Sequence, residues 1–268
     1  TAVTSGSGSV TFDKTAPTLS SVAIASDNTT TTLAKVDDVV TLTFTASETI
    51  QTPVVTFTSG SAAVTDASIT YTNTSGNTWT AAYTANSSDA DGAVAYSIAF
   101  TDSVGNAGTA VTSGSGSVTF DKTAPTITSI TSTTNDGTYN TDDTVNVTVT
   151  FSEAVTLAGG NLVVTLETGT NDQTVTITSI SGSNTASGTY QVQAGDTSSD
   201  LTASGIALSA GSLSDAAGNA MSSFAIASNL ASTSALVIDT TAPTVISFTT
   251  ATATGDYNKD EEIVITAN

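Results

Sequence analysis

Two short loops in this chain carry one oxygen-rich pattern: Asp102–Asn106 reads DSVGN and Asp215–Asn219 reads DAAGN. Each is matched earlier in the chain by a glutamate, Glu48 or Glu153, and by an aspartate, Asp13 or Asp121, that opens the residues DKTAPT. Carboxylate and amide oxygens suit a hard cation. Calcium takes six to eight such oxygens at about 2.3–2.6 Å, whereas magnesium keeps more of its own water. The chain has no cysteine and no histidine, which removes the ordinary zinc sites. Calcium (Ca2+) is the expected ion.

The remaining acidic residues extend the pattern. Numbering the expected strands of each unit one to seven, Asp13, Glu48, Asp102 and Asn106 gather at one end of the first unit, with Glu48 in the loop between strands two and three. The opposite end collects Asp37 and Asp38 from the first inter-strand loop, and Asp89 and Asp91 from a DADG turn. The second unit repeats this with Asp121, Glu153, Asp215 and Asn219 at one end, and Asp142, Asp143, Asp200 and the departing Asp239 at the other. Asp27, Asp136 and Asp196 read as turn residues that bond local backbone. Stacked end to end, one unit's base faces the next unit's top. Packed carboxylates repel, so a junction without an ion is expected to bend or open. A shared divalent ion converts that repulsion into a cross-link. Pro17, Pro125 and Pro243 fix φ and narrow the hinge.

Other chemistry is poorly served. Without histidine there is no Ser-His-Asp or Cys-His catalysis. The four lysines fall in linkers or loops, which leaves no buried lysine for a serine–lysine pair. Glu48, Glu153 and Glu167 are formal candidates for glycoside hydrolysis, but the first two occupy equivalent repeat positions, which suits a structural duty. The chain is read as non-enzymatic. Twenty-four acidic residues against four basic ones give a net charge of -20, with no arginine, so no nucleic-acid partner is expected and anionic membrane surfaces are disfavoured. No long apolar run suggests direct membrane insertion.

These residues need a scaffold, and the alternation of the sequence supplies one. Val40, Leu42, Phe44 and Ala46 alternate with polar residues in Val39–Ser47, as do Val145, Val147, Val149 and Phe151 in Thr144–Ser152. This is the period of a half-buried strand. Further strands are expected at Pro53–Phe57, Ala67–Thr72, Thr78–Thr84, Val94–Thr101 and Ala110–Phe120, the last kinked at its SGSGS run. The expected first core holds Trp79, Tyr83, Tyr96, Ile98 and Phe100; the second holds Val147, Val149, Phe151, Leu166, Ile177 and Tyr190. Serine and threonine make up about a third of the chain, in keeping with solvated sheet faces.

The segment TAVTSGSGSVTFDKTAPT occurs twice, as Thr1–Thr18 and Thr109–Thr126, and DTTAPT returns at Asp239. A domain-sized repeat marks a tandem array. The expected divisions are 1–14, the terminal strand of an upstream repeat; 15–122 and 123–240, two full repeats; and 241–268, the start of a third. The last piece is too short to bury a core and is expected to need a continuation or a neighbour. The fold class is all-β: tandem Greek-key sandwiches joined end to end by short TAPT linkers.

The residues FSEAV, NLVVTLETG, QAGDTSSDL, LSDAAGNAM and VIDTTAPTV, with the TAPT linkers, resemble the bacterial Ig-like repeats of large secreted adhesins and other cell-surface proteins. The resemblance implies Ig-like sandwiches in tandem, extracellular location and calcium at domain junctions. The expected function is a calcium-stiffened rod that projects or spaces an adhesive domain, with neighbouring repeats of the same chain as partners. The alternative is a subunit of a surface-layer lattice or polymeric filament made of identical chains. A carbohydrate- or ice-binding module is a third reading.

Overall fold

The computed structural model describes residues 11–66 and 68–268. Most of the expected upstream strand, residues 1–10, lies outside them. The first unit comprises β1 (Leu19–Ser26), β2 (Leu33–Ala34), β3 (Val39–Ala46), β4 (Val54–Ser59), β5 (Ala62–Ala63), β6 (Thr70–Ser75), β7 (Thr78–Thr84), β8 (Gly92–Ala99) and β9 (Thr119–Phe120). One sheet runs β1-β3-β7-β6 and the other β2-β9-β8-β4-β5. The first strand is thus shared: β1 pairs antiparallel with β3, and after the turn at Asp27–Thr32 the chain lays β2 parallel to β9 in the opposite sheet. This is an Ig-like β-sandwich.

Alternation decides the facing. Val40, Leu42, Phe44 and Ala46 of β3 are buried, and their polar neighbours face outward. Burying a side chain of the size of Leu42 or Phe44 contributes roughly 1.5–3 kcal/mol. Tyr83, Tyr96, Ile98 and Phe100 join them as expected. Trp79 does not: it stands opposite Phe44 near the start of β7 and is only partly buried against the core. The expected strand over Ala110–Phe120 is reduced to β9, preceded by an irregular stretch that bonds first to Ile98 through Val111 and then to β1 through Ser115. The SGSGS run makes that close approach possible. A Cβ on Gly114 would lie 2.4 Å from the Val22 carbonyl oxygen. One on Gly116, which has φ of +75°, would lie 2.3 Å from that of Ile24.

The second unit comprises β10 (Ile127–Thr131), β11 (Gly137–Tyr139), β12 (Thr144–Ala158), β13 (Leu162–Glu167), β14 (Gln173–Ile177), β15 (Ser183–Gln191), β16 (Thr197–Ser198), β17 (Thr202–Leu208), β18 (Ser212–Ser214) and β19 (Leu236–Asp239). Here β10-β12-β15 form one sheet; β14-β13-β17 and β11-β19-β16 form the other side, with β11 again parallel to β19. All six residues expected in this core are buried. A single 3-10 turn, Leu230–Ser232, is the one helical element among the described residues.

The strand β12 differs from its counterpart β3. It continues past Phe151, shifts register between Thr150 and Val155, and pairs its far end with β18. Beyond Asp239, β20 (Phe248–Thr250) and β21 (Ile265–Ala267) form a two-stranded ribbon with Val245, Ile246, Phe248 and Ile265 exposed. No helix among the described residues is long and apolar enough to cross a membrane.

Candidate metal centres

The DxxGN loops fold around their own aspartates. Asp102 Oδ1 accepts the backbone N–H groups of Val104, Gly105 and Asn106 at 2.7–2.9 Å, and its Oδ2 accepts Asn106 Nδ2 at 2.7 Å. Asp215 repeats this with Gly218, Asn219 and Asn219 Nδ2. Both aspartates are buried. Burial disfavours the charged form of Asp102, but the Asn106 amide and the three backbone donors outweigh it and hold the carboxyl below its ordinary value.

Each loop is tied to the linker aspartate. Asn219 Nδ2 donates to the Asp121 carbonyl at 2.9 Å, and Asn106 Nδ2 to the Asp13 carbonyl at 3.3 Å. The linker aspartates in turn cap their own turns: Asp13 accepts the N–H of Thr15, Asp121 that of Thr123, and Asp239 that of Thr241. A carboxylate oxygen of each of Asp121, Glu153 and Asp215 then lies within 4.8 Å of the others, and Asp13, Glu48 and Asp102 form a second such group. Glu48 sits in the expected loop. Glu153 does not: it lies inside β12, at the register shift, because that strand runs on to meet β18.

Asp91 of the preceding unit stands outside the group of Asp121, Glu153 and Asp215 but near enough for its charge to act on it. Its Oδ1 accepts Lys122 N at 2.8 Å and its Oδ2 the Thr123 hydroxyl at 2.7 Å, so the linker is clamped to the first unit. Lys122 Nζ reinforces the clamp by donating to the carbonyls of Ser87 and Asp89. Burial, and then repulsion from Asp215, Asp121 and Asp91, push the Glu153 carboxyl above its ordinary value. Asp121 is raised by burial, against the Thr123 N–H, with Asp215 and Asp91 adding to the rise. Two like charges about 4 Å apart in an effective dielectric of about 20 cost about 4 kcal/mol. That is a large share of the roughly 5–15 kcal/mol stability of a domain, so such a group calls for protons or a counter-ion. The ion pairs among the described residues are Lys35–Asp38 and Lys259–Asp260, and neither reaches these carboxylates.

The other candidates stand elsewhere. Asp89 is buried and accepts the Thr65 N–H, the Thr65 hydroxyl and Asn86 N. Asp38 accepts Lys35 N and Asn28 Nδ2, and Asp143 accepts Asn140 N. Asp37 and Asp142 are exposed with φ of 75° and 73°, and Asp200 and Asp239 are exposed. Asp196, read as a turn residue, accepts Gln193 N and also the buried Tyr190 hydroxyl at 2.7 Å. The sequence held no signal for the ties made by Asn106 and Asn219 to linker carbonyls, which serve to position the loops.

No protein-family profile matches the chain. No curated protein matches it in sequence. Among solved structures, an I-band fragment of titin is similar at 12% identity and a TM-score of 0.38, covering 85% of this chain and 66% of the fragment. A tandem pair of titin Ig domains is similar at 12% identity and a TM-score of 0.25, covering 84% of this chain and 98% of the pair. A Ca2+-stabilized adhesin that helps an Antarctic bacterium bind ice is similar at 21% identity and a TM-score of 0.37, covering 89% of this chain. The match spans 53% of the length of that solved chain.

Proposed function

We propose that this chain is a non-catalytic stretch of Ig-like repeats from a large extracellular surface protein, a calcium-stiffened rod that spaces or projects an adhesive domain. The repeats run from 15 to 122 and from 123 to 240, with 241–268 opening a third and neighbouring repeats as the principal partners. The observation that carries this reading is the convergence of Asp121, Glu153 and Asp215, with the charge of Asp91 of the preceding unit acting on them and, among the described residues, no lysine ammonium in an ion pair with any of the four. Its recurrence at Asp13, Glu48 and Asp102 gives it the character of a repeated device.

The residues fit the ion. Oxygens on opposite sides of one calcium are about 4.6–5.2 Å apart, so three carboxylates within 4.8 Å of one another can share one. Asp121, Glu153 and Asp215 would hold it, with Asp13, Glu48 and Asp102 holding another. An ion bound there supplies charge that offsets their repulsion and joins the linker to the second unit.

Calcium titration by isothermal calorimetry, with small-angle scattering in calcium and in chelator, tests the proposal. Binding together with a stiffer particle in calcium supports it. Unchanged dimensions and flexibility rule out the stiffening role, and calcium-driven sheets or filaments favour the lattice reading.

A further inference from the structure

The loop that carries Asp215 also touches the first unit through residues that are not members of the carboxylate group. Asn28, in the turn between β1 and β2, donates Nδ2 both to Asp38 Oδ2 at 2.7 Å and to the Ala217 carbonyl at 2.9 Å. Its orientation is set locally, since Asn28 Oδ1 accepts Thr30 N and Ser26 Oγ accepts Asn28 N. Ala217 sits at the tip of an inter-strand loop yet is only 3% exposed, whereas Val104, at the matching place in the first unit's loop, is 62% exposed. A Cβ on Gly218 would stand 3.5 Å from Lys35 Cε, so the loop also runs over that side chain. The second unit has Thr134 where the first has Asn28, each with its N–H on the preceding serine hydroxyl. A threonine hydroxyl has one proton and cannot make this fork.

From these contacts we infer that Asn28 is a latch which seats the second unit's DAAGN loop on the first unit without help from an ion. None of its bonds involves Asp91, Asp121, Glu153 or Asp215. The loop is held at two points: Asn219 ties it to the linker carbonyl of Asp121, and Asn28 ties its tip to the turn of the first unit. The latch therefore presets Asp215 for the proposed calcium site, and that part of its role rests on the calcium reading. It also alters the expectation for the chelated chain. The junction keeps a preferred angle where repulsion alone would open it.

The chain has no cysteine, so paired spin labels at Thr72→Cys and Thr174→Cys, both exposed and one in each unit, report the angle directly. In chelator the labelled parent chain is expected to give a single-peaked distance distribution that calcium sharpens further, and Asn28→Thr to widen it about twofold or more, because units without a firm contact move freely. Ala217→Leu, which overfills the contact and leaves the first unit untouched, is expected to widen it likewise and serves if Asn28→Thr misfolds. A broad distribution in the parent, or a width unchanged by folded variants, overturns the latch. Calcium added to Asn28→Thr separates the two ideas. Renewed narrowing supports the junction ion, while no response rejects the ion and leaves the chelator result to decide the latch.

Discussion

Asn219 bridges the Asp215 carboxylate and the Asp121 carbonyl with one amide nitrogen, at 2.8 and 2.9 Å. The bridge fixes where the linker passes relative to the loop. Groups that orient a metal's ligands commonly contribute about 10–100-fold to affinity. Asn219→Ala is therefore expected to weaken calcium binding about tenfold or more while the unit remains folded. Calorimetric titration checks the first and thermal unfolding the second.

Glu153→Gln should have opposite effects in the two states. Without calcium it removes one charge from a crowded group, and melting is expected to rise by a few degrees. With calcium it removes a ligand, and melting is expected to fall below that of the parent chain. Paired melts in chelator and in calcium check the crossover. A variant that moves both in the same direction speaks against a shared ion.

The same group sets a pH dependence in metal-free buffer. Glu153 and Asp121 have carboxyls raised in the folded chain, so folding takes up protons between their ordinary and raised values. Their favourable contribution is full below the ordinary value and is lost as pH rises through the folded values. Asp102, whose carboxyl is lowered, works the other way: its contribution is present above the ordinary value and is lost as pH falls through the lowered one. Melting temperature measured across the acid range should decline less on the rising-pH side in Glu153→Gln than in the parent.

Two tyrosines at matching strand positions give a contrast in buried hydrogen bonding. Tyr190 donates to Asp196, while the buried Tyr83 hydroxyl has no partner. Tyr190→Phe is expected to cost about 1–2 kcal/mol, and Tyr83→Phe to be neutral or slightly stabilising. Urea unfolding of both variants measures the difference.

Gly116 is the backbone position least able to accept a side chain at the edge of β1. Gly116→Ala, with φ of +75° and a carbonyl 2.3 Å from the new Cβ, is expected to cost roughly 2–4 kcal/mol. Gly76→Ala, at φ of +55° in open space, is expected to cost only about 1 kcal/mol. Chemical denaturation of the two variants checks the ranking.

Much of this architecture was legible in the chain because it is periodic. Alternation identified β3 and the first half of β12. The recurrence of Glu, Asp-x-x-Gly-Asn and the DKTAPT aspartate at matching places brought together the residues of both carboxylate groups. What escaped was set by local geometry. Asp89 and Asp91 belong to one DADG turn, yet the turn buries Asp89 among Thr65 and Asn86 and sends Asp91 to the linker. The register shift that carries Glu153 within a strand depends on pairing with β18, whose partner lies far along the chain. The contact between Asn28 and Ala217 has no counterpart in the first unit's sequence pattern, so no repeat could announce it.

The parallel pairing of β11 with β19 bears on how the second unit carries mechanical load. These strands stand near the start and finish of that unit, lie side by side and run in the same direction. Tension drawn through the linkers pulls one strand backward along the other, so their hydrogen bonds meet the force in shear and must yield together. The pairing of β2 with β9 places the first unit under the same rule. A chain of such units resists being drawn out until a whole ladder fails at once.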